Sequence, residues 1–173
     1  MNVDYNYTAP DSANSALLTI DVQNDFTLRG APAEIEGTQD AVPQMKRLVQ
    51  LYRDAAAPVV HVVRLYKRDG SNVDMCRREA IENGETVVAP ETEGAEIVDE
   101  LVDETLDAEK LLAGELQKIG ENEDMNVNRR EWAMYKPRWG AFYDTPLDNH
   151  LSKLSVNTLV VCGCDFPNLR TWG

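Results

Sequence analysis

Hydrophobic and polar positions along the chain change their period several times, and each change marks an element. Residues 16–22 (ALLTIDV) form an apolar run that ends in a polar loop containing Gly30, Pro32 and Gly37. From about 40 to 56, Val42, Met45, Leu48, Val49 and Tyr52 recur every three or four positions, the spacing that lines one face of a helix. Residues 58–66 (PVVHVVRLY) are continuous in apolarity and rich in β-branched side chains, as a strand covered on both faces requires. The pattern predicts a further helix over 71–83, closed by Gly84.

The stretch 91–128 is acidic, with helical spacing near 95–101 and 108–119, and reads as an exposed insertion or flap without a direct catalytic role. Beyond it, residues 131–136 (EWAMYK) form a short strand that Pro137 stops. Residues 145–154 predict a short helix with Pro146 in its first turn, and 158–164 a last strand. Strand and helix alternate with no internal repeat, which predicts one α/β domain over residues 1–173 with a mainly parallel sheet.

Composition narrows the partners. The 173 residues are 43% hydrophobic, enough for a single core. Thirty acidic against seventeen basic residues leave a net charge of −13, which repels phosphate backbones and anionic lipid, so neither nucleic acid nor a membrane is expected as partner. The first fifteen residues hold no basic and apolar export signal, and no run approaches the ~20 apolar residues of a membrane span. A soluble, cytoplasmic protein is expected. Cys76, Cys162 and Cys164 are an odd number in such a chain and predict no disulfide framework.

In an open parallel sheet, ligands sit outside the carboxyl ends of the strands. The residues there are Asp21, Gln23, Asn24 and Phe26 after the first apolar run, Arg64 and Tyr66 after the second, Lys136 after the third, and Gly163, Cys164 and Asp165 after the last. Asp21 is the informative one, because a carboxylate inside an apolar run is costly unless a cation or several donors attend it. Lys136 lies among Tyr135, Pro137 and Trp139, where a desolvated ammonium could keep Asp21 charged or lower the pKa of a thiol.

DVQNDF at 21–26, KPRWGAFYDTPLDNHL at 136–151 and TLVVCGCDFPN at 158–168, with HVVRLYKRDGSNVD at 61–74 between them, resemble the signature regions of the isochorismatase-like cysteine hydrolases. The resemblance implies a three-layer α/β/α, Rossmann-like fold with a central, mainly parallel sheet. It also implies a Cys, Asp and Lys triad: the Asp takes the thiol proton, the Lys favours the thiolate, and the thiolate attacks an amide carbon. Asp21 and Lys136 match the family's Asp and Lys positions. Cys164 and Asp165 match the turn where a cis peptide aims backbone N–H groups at an oxyanion, and the aromatic residues Phe26, Trp139 and Phe142 read as the wall of a substrate pocket.

The nucleophile is the departure. Counting six residues from Gly163, as the family pattern does, reaches Leu169, which can neither ionise nor attack. Three readings stay open: substitution by leucine, deletion of one residue between Asn168 and Leu169, or a cysteine left unwritten because it is modified. The family also continues past this point with a further strand and helices. Cys162 and Cys164 read as small apolar residues at a strand end, since Cys-x-Cys with no second Cys or His pair nearby is half a metal site. Nicotinamidase relatives hold a zinc-type ion with an Asp-x-His after the second strand, where this chain has Arg64, Leu65, Tyr66 and Lys67. No metal or other cofactor is therefore expected, and nicotinamide is disfavoured. The resulting expectation is a homo-oligomeric hydrolase that cleaves a C–N bond in a small molecule. Its alternatives are Cys-independent hydrolysis of an isochorismate-type vinyl ether, and a catalytically silent binding or scaffold member of the fold.

Overall fold

In the computed structural model, which describes residues 9–120 and 129–164, the predicted alternation folds into one five-stranded sheet. The elements are β1 (Ser15–Ile20), α1 (Asn24–Thr27), α2 (Thr38–Asp54), β2 (Val59–Val63), α3 (Met75–Glu82), α4 (Ala108–Leu112), β3 (Leu116–Lys118), β4 (Glu131–Tyr135), α5 (Leu147–Lys153) and β5 (Thr158–Gly163). Their spatial order is β3-β4-β2-β1-β5, all parallel except the β3–β4 pair.

Alternation along each strand divides the core in two. Leu17, Val59, Val63 and Ala133 point to the face covered by α2, whose Val42, Met45, Val49 and Tyr52 are buried there. Ala16, Leu18, Ile20, Val60, Val62 and Met134 point to the other face, covered by Leu147 and Leu151 of α5. Both faces of β1 and β2 are thus sealed, which explains why these strands read as continuous apolar runs. The three-layer α/β/α architecture inferred from the sequence is present. Among the described residues no helix is long and apolar enough to cross a membrane.

The acidic segment corrects three expectations. Of its described part, Ala95, Ile97, Val98, Leu101, Leu106, Leu111 and Ile119 are buried in the larger core cluster, so it is a packed layer and not an exposed flap. Residues 96–101 are not helical, and Ala95 only closes a single 3-10 turn, Glu93–Ala95. The backbone after that turn is claimed by the chain leaving β1: Asn24 N–H donates to Glu96 O at 2.9 Å, Val98 N–H to Val22 O at 3.1 Å, and Ile97 forms a bridge with Gln23. The helix expected over 108–119 ends at Leu112, because Gly114 takes a left-handed φ of 84° and turns the chain into β3.

A charged cluster crosses the α2 side of the sheet. Glu131 of β4 accepts from Arg53 Nε at 2.8 Å and Arg53 Nη2 at 2.6 Å, and His61 Nε2 lies 2.8 Å from its Oε1. On the other edge of the ring, His61 Nδ1 is 2.7 Å from Thr19 Oγ1. Burial pushes the Glu131 carboxyl up, but the bonds from Arg53 and His61 outweigh it and bring the pKa down to about 2.

Candidate active site

The strand order reverses at β1: the chain moves outward to β2 and β4, then returns to place β5 on the other side of β1. The carboxyl ends of β1 and β5 therefore flank the crevice where open α/β sheets bind ligands. Gly163 makes this juxtaposition possible. It sits opposite Ile20 with φ 140°, and a Cβ there would collide with the Ile20 backbone, including its nitrogen at 2.6 Å. Cys164 N–H then donates to Ile20 O at 2.9 Å, which fixes the start of the following turn beside Asp21.

Asp21 leaves β1 in the left-handed region, at φ 54°, a conformation unusual outside glycine and often held at functional positions. Its N–H still donates to Val62 O at 2.9 Å, and Lys136 N–H donates to Val63 O at 3.0 Å, so both backbones are anchored to β2 as the strands end. Their side chains meet: Lys136 Nζ lies 2.7 Å from Asp21 Oδ2, with 3% and 15% side-chain exposure respectively. The costly carboxylate in the first apolar run has its cation, supplied from two strands away.

A second pair lies beside the first. The Arg64 guanidinium donates to Asp74 Oδ2 at 2.8 Å and to Lys136 O at 2.6 Å, and its carbon stands 4.7 Å from the Tyr66 ring centroid. Arg64 is held through its backbone by the fully buried Gln23, which accepts from Arg64 N at 2.7 Å and donates to Arg64 O at 2.8 Å and to Ala95 O at 2.6 Å. Burial raises the Tyr66 pKa despite the nearby Arg64 charge, so Tyr66 remains a neutral phenol, and its hydroxyl donates to Asp74 at 3.3 Å.

Asp21, Lys136, Arg64, Asp74 and Arg77 line a common cavity with Phe26, Trp139 and Cys164 among its walls. Its volume is about 50 Å³, and it is open to solvent on one side. Phe26 is buried, and Trp139, 44% exposed, stands at the mouth. Phe142 does not line this cavity. It packs with Met134, Ala141 and Leu147 on the α5 face, because the loop after β4 turns over that face and Thr145 Oγ1 ties it down by donating to Ala141 O at 2.7 Å. Asp165, the peptide joining it to Cys164, and Leu169 lie outside the described residues.

Sequence reasoning missed Asp74 and Arg77. Asp74 precedes α3 and reads as a helix cap, yet it makes no capping bond with its side chain and turns instead to Arg64. Arg77 differs locally from its neighbour Arg78 in having no acidic residue three or four positions ahead, but nothing in the sequence ties that difference to the site. The thiols separate clearly: Cys76 is exposed, Cys164 is buried with its sulfur 3.5 Å from Thr27 Oγ1, and burial pushes Cys162 up to about 11.

A family model, the isochorismatase domain, matches residues 15–111. A probable inactive nicotinamidase of Arabidopsis thaliana is 33% identical over 156 residues, covering 90% of this chain and 68% of that protein. The chain belongs to the isochorismatase family. This family's members are hydrolases. The crystal structure of an isochorismatase family protein from Desulfovibrio vulgaris matches with a TM-score of 0.71 at 33% identity, covering 90% of this chain and 70% of that one. A cysteine hydrolase from Pseudomonas syringae shares the fold at 20% identity, with a TM-score of 0.63 over 87% of this chain and 59% of that one.

A divalent cation does not fit this isochorismatase-family site. The side chain directly after β2 is the Arg64 guanidinium, which already neutralises Asp74, while Asp21 is neutralised by Lys136. Among the described residues no three His, Cys, Asp or Glu side chains gather as a ligand set.

Proposed function

We propose that this isochorismatase-family protein hydrolyses the C–N bond of a small amide, with Asp21 as general base and Lys136 as its electrostatic partner. The observation that carries the reading is the 2.7 Å contact between Lys136 Nζ and Asp21 Oδ2 beside Gly163, at the point where the strand order reverses. Lys136 keeps the carboxylate charged and ready to accept a proton. A thiol on the turn after β5 would give its proton to Asp21, and its sulfur would attack the amide carbon. Collapse of that adduct breaks the C–N bond, and the same proton passes from Asp21 to the leaving nitrogen. Water then hydrolyses the thioester, with Asp21 again taking the proton. Lys136 stabilises the thiolate throughout. Arg64 and Asp74 form a neutral pair that holds the carbonyl end of Lys136 in place.

The chain carries Leu169 where the thiol belongs. That single residue favours a second reading, hydrolysis of an isochorismate-type vinyl ether, in which Asp21 in its acid form protonates the substrate carbon and water completes the cleavage without a thiol. The experiment assays three proteins: the chain as it stands, a variant with cysteine inserted between Asn168 and Leu169, and that variant carrying Asp21→Asn. Each is offered a panel of small amides and isochorismate. Amide hydrolysis in the insertion variant, lost on Asp21→Asn, supports the first reading. Isochorismate cleavage by the unaltered chain supports the second. Inertness of all three proteins on every substrate overturns both and leaves a silent member of the family.

A further inference from the structure

The cavity lining holds three cations, Lys136, Arg64 and Arg77, against two carboxylates, Asp21 and Asp74. Both carboxylates are committed, Asp21 to Lys136 at 2.7 Å and Asp74 to Arg64 at 2.8 Å. Arg77 forms no ion pair with a described carboxylate. The helix explains why. Arg78 pairs with Glu82 one turn later, whereas the residues three and four ahead of Arg77 are Ala80 and Ile81. Its one acidic neighbour a turn earlier is Asp74, already held by Arg64. What Arg77 has is the ring of Phe26, 5.6 Å from the guanidinium carbon.

Among the described residues a half-buried guanidinium with a ring contact and no carboxylate is incompletely compensated, and its N–H groups remain open to other acceptors. Their fork is built for a carboxylate, which it can grip with two parallel bonds. The surplus is also local. In a chain of net charge −13, a cavity left one positive charge over attracts anions that the rest of the surface repels.

We infer that Arg77 binds a carboxylate of the substrate, so that the site takes amides that are also acids, in preference to neutral amides. The amide half of this statement rests on the function proposed above; the anion half rests on the Arg77 geometry alone. Lys136 and Asp21 face the scissile end, and Arg77 on α3 receives the acidic end across the ring of Phe26.

The test measures binding, not turnover. Calorimetry on the chain as it stands compares the acid amides from oxamate to glutaramate with their neutral diamides at fixed ionic strength. At least one acid amide is expected to bind about tenfold or more tightly than its diamide. Arg77→Ala, checked for folding by circular dichroism, abolishes that preference, and Arg77→Lys retains part of it, since a point charge replaces the fork. Equal binding of the two series, no binding of any acid amide, or a preference that survives Arg77→Ala overturns the inference. A preference found in a protein that hydrolyses no amide, even with its cysteine inserted, removes the proposed reaction and leaves Arg77 as an anion site. Hydrolysis confined to neutral amides does the reverse.

Discussion

Glu131 offers the sharpest quantitative test of how this fold is held together. Its side chain is 1% exposed, paired with Arg53 and His61, and its pKa lies near 2 against 4.5 for an ordinary glutamate. A folded-state pKa below the unfolded one means that the native state favours the charged form. The stability this contributes is fully present above about pH 4.5 and is lost as pH falls toward 2. The displacement from 4.5 to about 2 corresponds to about 3 kcal/mol, of which roughly 2 kcal/mol is gone by pH 3. Glu131→Gln keeps the shape, removes the charge, and leaves Arg53 and His61 without a carboxylate. The expected cost at pH 7 is about 3–5 kcal/mol. The assay is urea unfolding by circular dichroism at intervals from pH 7 to pH 3, on the wild type, Glu131→Gln, Arg53→Met and the double variant. The wild type should lose stability steeply below pH 4.5, and Glu131→Gln should show a shallower decline from a lower start. A pH slope in Glu131→Gln equal to the wild type's, or a cost under about 1 kcal/mol at pH 7, would refute the account. Because β4 begins at Glu131 and ends one residue before Lys136, acid loosening of this cluster should also dismantle the candidate site.

Lys136→Met leaves Asp21 in the cavity without its cation, and should lower any activity of the cysteine-inserted protein by about a thousandfold or more while costing roughly 3–5 kcal/mol in urea unfolding. Gly163→Ala should lower the melting temperature sharply, because the new Cβ meets the Ile20 backbone; an unchanged melting curve would show that β5 sits elsewhere. Gln23→Leu removes three buried hydrogen bonds and should cost about 2–4 kcal/mol by urea unfolding, with weaker ligand binding as Arg64 loses its backbone clasp. In alkylation followed by mass spectrometry near pH 8, Cys76 should react well before Cys162, whose pKa of about 11 leaves almost no thiolate; rapid labelling of Cys162 would contradict its burial.

The Asp21–Lys136 ion pair was legible in the sequence because each member is a charged residue at the carboxyl end of an apolar run: Asp21 directly follows β1 and Lys136 directly follows β4. The same logic found Arg64 but assigned it no partner. Phe142 and the acidic segment were misplaced for related reasons. Phe142 comes after a loop, where no period says which face of the sheet the chain will cover. The segment around residues 95–101 carries charges typical of a solvated surface, yet its apolar residues are drawn into the core by backbone bonds to residues 22–24. At three residues, β3 is too short to display any period.

By itself the sequence determined the place and order of the four parallel strands and the main helices between them, the family, and the two residues that form the central ion pair. These are local facts, written in the spacing of apolar residues and in the polar side chain that closes each run. Only the tertiary structure decided that β5 returns to lie beside β1, that Asp74 abandons its helix for Arg64, and that Arg77 is left over above Phe26. Periodicity records which side of an element avoids water. It does not record which neighbour supplies the cover, because that choice is made by contacts between residues far apart in the chain.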